Sequence, residues 1–185
     1  MKKLIYLFSF IAFVSCVSDD SNILNNAIPN PVYLDVNGIT IKAEEWAEVG
    51  ATGEINEITY MVVDEAMLRE MLLNNEDVTK LATTKVTDTR SLFNNDFNQP
   101  IGNWDMSNVT NMKGMFAYTS IFNQDISNWN VGKVTNMGGM FFRSSSINQD
   151  LSLWDVSLVN QCESFDYNTS QWTFSKPNFT NCNPN

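Results

Sequence analysis

Three tryptophans, Trp104, Trp129 and Trp154, stand 25 residues apart, and the text around them recurs in register. Phe97-Asn98-Gln99, Phe122-Asn123-Gln124 and Ile147-Asn148-Gln149 precede them. Val109-Thr110-Asn111-Met112, Val134-Thr135-Asn136-Met137 and Val159-Asn160-Gln161-Cys162 follow, and then Met115-Phe116, Met140-Phe141 and Phe165-Asp166. A fixed period of this length constrains the fold more than any other feature. Each unit is too short to bury its own apolar face, so successive units must stack. A first coil of 23 residues extends the pattern backwards, aligning Val86, Leu92 and Phe93 with Val109, Met115 and Phe116. Leu81 then aligns with Trp104, and Val78 with Ile101. Trp172-Thr173-Phe174 reads as a shortened last rung.

Within a coil, Trp and the Met or Val two residues later read as one side of a short strand. Val109, Met112, Met115 and Phe116 fall at helical spacing and read as a short helical turn on the opposite wall. The expected fold is therefore an α+β repeat solenoid of leucine-rich-repeat-like coils, 64–158, with a C-terminal cap over 159–185. The Trp and Met stripes are expected as core, each fully buried large side chain contributing about 1.5–3 kcal/mol. Gly138-Gly139, aligned with Lys113-Gly114, reads as a close backbone approach.

A β-rich lead-in over 31–63 precedes the coils. Val32 to Val36 and Ile39 to Ala43 flank Asn37-Gly38, a hairpin signal. Ile55 to Val63 reads as a third strand. Asp64 then caps a helix with Met67, Leu68, Met71 and Leu72 on one face, ended by Asn74-Asn75.

The amino-terminal residues carry a different signal. Lys2-Lys3, an apolar run from Leu4 to Val14 and Ser15 have the layout of an export signal. The run is shorter than the roughly 20 apolar residues of a membrane span. Phe13-Val14-Ser15-Cys16 resembles the bacterial lipobox, with Phe where Leu is usual. That resemblance implies signal peptide 1–15 and acylation (palmitate among the acyl groups) of Cys16. A plain secretory signal is the competing reading. Residues 16–30 read as a flexible tether, and Cys16-Val17-Ser18-Asp19-Asp20 resembles surface-export tags.

Without residues 1–15 the chain has nine basic and 21 acidic residues, a net charge of −12. That balance opposes nucleic-acid binding and charge-driven adsorption to anionic lipid. Cys162 and Cys182 remain after Cys16. In an oxidising space a disulfide between them would close a loop of about 20 residues and stabilise by about 3 kcal/mol. Two free thiols, or a half metal site needing carboxylates, are the alternatives, because the chain has no histidine.

The repeats closely resemble those of the BspA-like leucine-rich-repeat surface proteins. Phe122-Asn123-Gln124-Asp125-Ile126-Ser127-Asn128-Trp129 and Val134-Thr135-Asn136-Met137-Gly138-Gly139-Met140-Phe141 carry the likeness. It covers residues 64–185 and departs at Cys162 and Asp166, where Met and Phe are usual. The resemblance implies a curved solenoid at the cell surface, with adhesion among the family's roles, and no catalytic residues.

The expected function is thus a non-catalytic, lipid-anchored protein at the outer membrane. Its partners would be the membrane, through lipid, and a protein or glycan ligand, without nucleic acid, cofactor or metal. The alternative is a structural or assembly component of an envelope complex. The expected binding face is Asn103, Asp105, Asn128, Asn130, Leu153 and Asp155, which flank the core tryptophans. Asp125 and Asp150 also align. Asp and Asn at such positions serve turn amides or, in the competing reading, calcium.

Overall fold

A computed structural model describes residues 28–185; the signal peptide, Cys16 and most of the tether lie outside the described residues. The lead-in holds two antiparallel hairpins. Strand β1 (Val32–Leu34) pairs with β2 (Ile41–Ala43), Val32 opposite Ala43. The loop between them spans six residues, and Asp35 N–H donates to the Thr40 carbonyl across its base. Strand β3 (Thr52–Ile55) pairs with β4 (Ile58–Val62). The single strand expected from Ile55 to Val63 is therefore broken by a turn. Asn56 and Glu57 both adopt positive φ (51° and 65°), as a two-residue hairpin loop of primed type needs.

Helix α1 (Glu65–Leu73) follows, and the Asp64 side chain accepts the Met67 N–H as its N-cap. At the other end Asn74 N–H donates to the Glu70 carbonyl and Asn75 N–H to the Leu72 carbonyl. Only Leu68 is fully buried; Met67, Met71 and Leu72 pack half-buried on the core. Strand β5 (Leu81–Ala82) then pairs in parallel with β4. The first coil is joined to the lead-in by this sheet.

From Val78 onward the chain winds in coils bonded each to the next. Isolated parallel bridges run Asp88 to Asn111, Asn111 to Asn136 and Asn136 to Gln161. The N–H groups of Met112, Gly114, Phe116 and Tyr118 donate to the carbonyls of Asn136, Gly138, Met140 and Phe142. Met137, Gly139, Phe141 and Arg143, their repeat equivalents, donate to Gln161, Glu163, Phe165 and Tyr167. Thr89, Ser91 and Phe93 donate to Asn111, Lys113 and Met115. The bridges place the first coil 23 residues from the second and the later coils 25 apart.

This wall is a run of tight turns, not a helical turn. Met115, Ala117 and Thr119 donate back three residues within their own coil, while the residues between them donate to the next coil. One position in each coil takes positive φ: Ser91, Gly114, Gly139 and Ser164, between 47° and 61°. Gly139 is thus favoured by backbone handedness rather than by the close backbone approach expected, since a Cβ there would meet nothing nearer than 3.7 Å. Tyr118, Arg143 and Asn168 form a second such row.

The Trp segments, expected as strands, are turns as well. Ile101 and Trp104 are three apart, so a strand would put them on opposite faces. Both are buried (0% and 1% exposed), because Trp104 N–H closes a turn onto the Ile101 carbonyl. The same turn recurs at Trp129, Trp154 and Trp172.

The interior of the coils is one apolar column, and Val32, Ile41, Ala43, Ala47, Val62 and Ala82 form a second, smaller core under the lead-in. Phe93, Phe116 and Phe141 stack at 4.9 and 5.3 Å between centroids, and Phe165 meets Phe141 edge-on at 5.4 Å. Trp129 and Trp154 stack at 6.3 Å. Each indole N–H reaches a carbonyl of the preceding coil: Trp104 to Val78, Trp129 to Ile101, Trp154 to Ile126 and Trp172 to Gln149. A buried indole thus has its donor satisfied while its rings fill the core. Asn98, Asn123 and Asn148 each accept a backbone N–H of the next coil through the side-chain oxygen. The Asn-Gln text is therefore a coil-to-coil clasp.

At the far end Cys162 and Cys182 form a disulfide, Cα atoms 5.9 Å apart. Phe179 packs edge-on against Phe165 at 4.9 Å. Trp172 repeats the turn of the earlier tryptophans on a shorter coil.

Candidate functional site

The six residues expected on one open face divide into two groups. Asn128, Asn130, Leu153 and Asp155 are exposed, Leu153 almost wholly. They come from the second and third Trp turns. Asn130 and Asp155 each accept the N–H two residues on, from Gly132 and Ser157. These are Asx turns, and they hold the side chains against the coil.

Asn103 and Asp105, the equivalents from the first Trp turn, do not lie on the open face. Ile41 of β2 donates its N–H to the Asn103 carbonyl at 2.9 Å. The Asn103 amide in turn donates to Thr79 O. Asp105 is 1% exposed. Its Oδ1 accepts Ser107 N–H, and its Oδ2 is buried without a hydrogen-bond partner among the described residues. The cause is the lead-in: β2 rests on this rung. Burial pulls the Lys42 pKa down. The hydrogen bond Lys42 donates to Asp35, with the charges of Asp105 and Asp35, outweighs burial and holds it above the ordinary value.

The aligned carboxylates serve turns. Asp125 Oδ1 accepts both Ser127 N–H and Oγ–H, and Asp150 does the same for Ser152. The hydrogen bonds from Ser152 lower the Asp150 pKa, and those from Ser157 lower that of Asp155. Among the described residues no group of three or more His, Cys, Asp or Glu could hold a metal ion.

One exposed feature went unread in the sequence. Tyr118, Phe142 and Tyr167 form a row at 5.5 and 5.1 Å, with the Arg143 guanidinium 5.4 Å from the Phe142 ring. Its only textual signal is the 25-residue step from Phe142 to Tyr167.

Coils bonded each to the next, with equivalent residues recurring at equivalent places, define a tandem-repeat protein. Residues 63–179 match the family described as Mycoplasma protein of unknown function, DUF285, and the chain belongs to that family. No curated protein and no solved structure matches the chain. Among the described residues no helix is long and apolar enough to cross a membrane.

Proposed function

We propose that the chain is a lipid-anchored surface protein of the BspA-like kind, and that its stacked coils are a leucine-rich-repeat-like solenoid used to bind a protein or glycan. The observation that carries this reading is repetition on the outside. Asn128, Asn130, Leu153 and Asp155 come from successive coils and are exposed, and turns hold Asn130 and Asp155 in place. Repeat proteins bind through such extended faces. Leu153, 93% exposed, supplies an apolar centre with polar neighbours.

The face is short, so the affinity of one copy is low and avidity from many anchored copies supplies the rest. Cys16 holds the chain at the outer membrane, and the acidic tether lifts the coils from it.

Binding of the soluble form starting at Ser18 to immobilised matrix proteins and glycans tests the face. Leu153→Glu should lower capture about tenfold, the loss expected of one central contact. Equal capture by the variant rejects this face. Mass spectrometry should find an acylated amino-terminal Cys16, and protease added to intact cells should remove the coils. Protected coils would reject surface display.

A further inference from the structure

We propose that the cavity between α1 and the first coil binds an ammonium group carried on a short apolar stem, such as a lysine side chain or a free alkylamine. The cavity encloses about 450 Å³, within the range of small-molecule sites. Leu72, Leu92, Phe93 and Phe97 contribute its apolar lining. Leu92, Phe93 and Phe97 are 7–8% exposed, whereas their equivalents Met115, Phe116 and Phe122 are 0% exposed. The first coil thus leaves apolar surface uncovered where every later coil is sealed.

The chemistry follows from the direction of the peptide units. Thr89, Ser91 and Phe93 donate their N–H groups to the second coil. Peptide units are planar and trans, so the carbonyls of Asp88, Arg90 and Leu92 point the other way, toward α1. The Arg69 guanidinium donates to the first two, at 3.4 Å to Asp88 O and 3.1 Å to Arg90 O. The third, Leu92 O, has no hydrogen-bond partner among the described residues, and Leu92 borders the cavity.

The row therefore presents a partial negative charge, like the carbonyl end of a helix. Arg69 shows how the fold answers it: a cation sits on the first two carbonyls, and the third place is open. The charges beside the opening agree. Glu76 and Asp96 line it, and Arg69, the only basic residue that does, is already paired with Glu65 at 3.0 Å. An ammonium group placed at Leu92 O would meet an acceptor carbonyl in a cavity lined also by two carboxylates and by the apolar Leu72 and Phe97. An anion would meet the same groups with the wrong sign. The site is independent of surface display and of the exposed face around Leu153.

Titration of the full chain, followed by NMR of the Leu72 and Leu92 methyl groups, tests this. The probes are n-butylamine, acetyl-lysine methylamide, n-butanol and butyrate. Butylamine should shift both methyl signals and bind at least about tenfold more tightly than butanol, as a charge-assisted hydrogen bond implies. Butyrate should cause no shift. The double variant Glu76→Gln, Asp96→Asn alters only exposed side chains and should weaken butylamine about fivefold with an unchanged melting temperature.

Comparable binding of the lysine amide assigns the ligand to a partner protein, and binding of butylamine alone assigns it to a free amine. Either result upholds the site. Butanol or butyrate binding as well as butylamine, full affinity in the double variant, or unshifted methyl groups at saturating amine would overturn it.

Discussion

At the C-terminal end of the stack, Trp172, Phe179 and the Cys162–Cys182 bridge close over the last coil. At the N-terminal end, α1 and Arg69 close over the first coil and leave a cavity beside it. Both ends answer the same need, because a terminal coil has one face without a neighbour. The C-terminal end reuses the repeat's own device, a Trp turn with its indole N–H on the coil before, and adds a covalent tie. The N-terminal end uses a helix whose one fully buried side chain is Leu68. A helix cannot pair with the carbonyl row as another coil would, so a guanidinium serves two of the three carbonyls. Closure by repetition seals the core, and closure by a different element leaves a cavity.

Four changes would break or sharpen this contrast. The largest effect is expected away from both ends. Phe141→Ala removes a ring wholly buried between Phe116, Phe165 and Trp172. It should cost about 3–5 kcal/mol in urea unfolding. A loss below about 1 kcal/mol would mean that the column is loosely packed there.

Next comes the covalent tie. Replacing Cys162 and Cys182 by serine should cost about 3 kcal/mol in the loop-entropy model. Faster hydrogen exchange should be confined to residues near Phe165 and Trp172. Spread of the change to the first coil would deny that the two ends are independently closed.

At the other end, Arg69→Met keeps much of the stem but removes the hydrogen bonds to Asp88 O and Arg90 O. The head group is partly exposed, so about 1–2 kcal/mol is expected. Amide exchange should rise at Thr89 and Ser91 and stay unchanged at Phe165.

The smallest effect is acid dependence. Hydrogen bonds from Thr79, Ser152 and Ser157 lower the pKa values of Asp77, Asp150 and Asp155 in the folded state. Each therefore contributes stability that is present above the unfolded value of 3.8 and is lost as pH falls through the lower folded value. The urea midpoint should drop as the pH falls below about 3.8. Asp155→Asn should leave the urea midpoint at neutral pH almost unchanged, because the site is exposed. Asn130 already makes the same turn with an amide. A pH-independent midpoint would show that these turns are not coupled to folding.

Much of the interior was legible because it follows from spacing. The coil lengths, the buried Trp, Met and Phe columns and the α1 cap at Asp64 were read from residue identity and interval. The local conformation was less legible. Ile101, Trp104 and Met106 look like a half-buried strand, yet the three-residue step from Ile101 to Trp104 is met by a turn. Ile55 to Val63 looks like one strand because Asn56, which tolerates the left-handed region, is followed by Glu57 and not by the glycine that marks a primed turn. The candidate face was half legible. Equivalent positions in the repeat predict equivalent exposure only where nothing outside the repeat lies on them, and β2 lies on Asn103 and Asp105.

The sequence by itself determined the period, the residues facing inward and the cysteines available for a bridge, because each is a property of neighbours along the chain. Only the tertiary structure decided that Asp105 is buried, that the coil carbonyls turn toward α1, and that Leu92 borders a cavity. Those depend on which distant segments rest against a coil, and that contact is set by packing rather than by any local spacing.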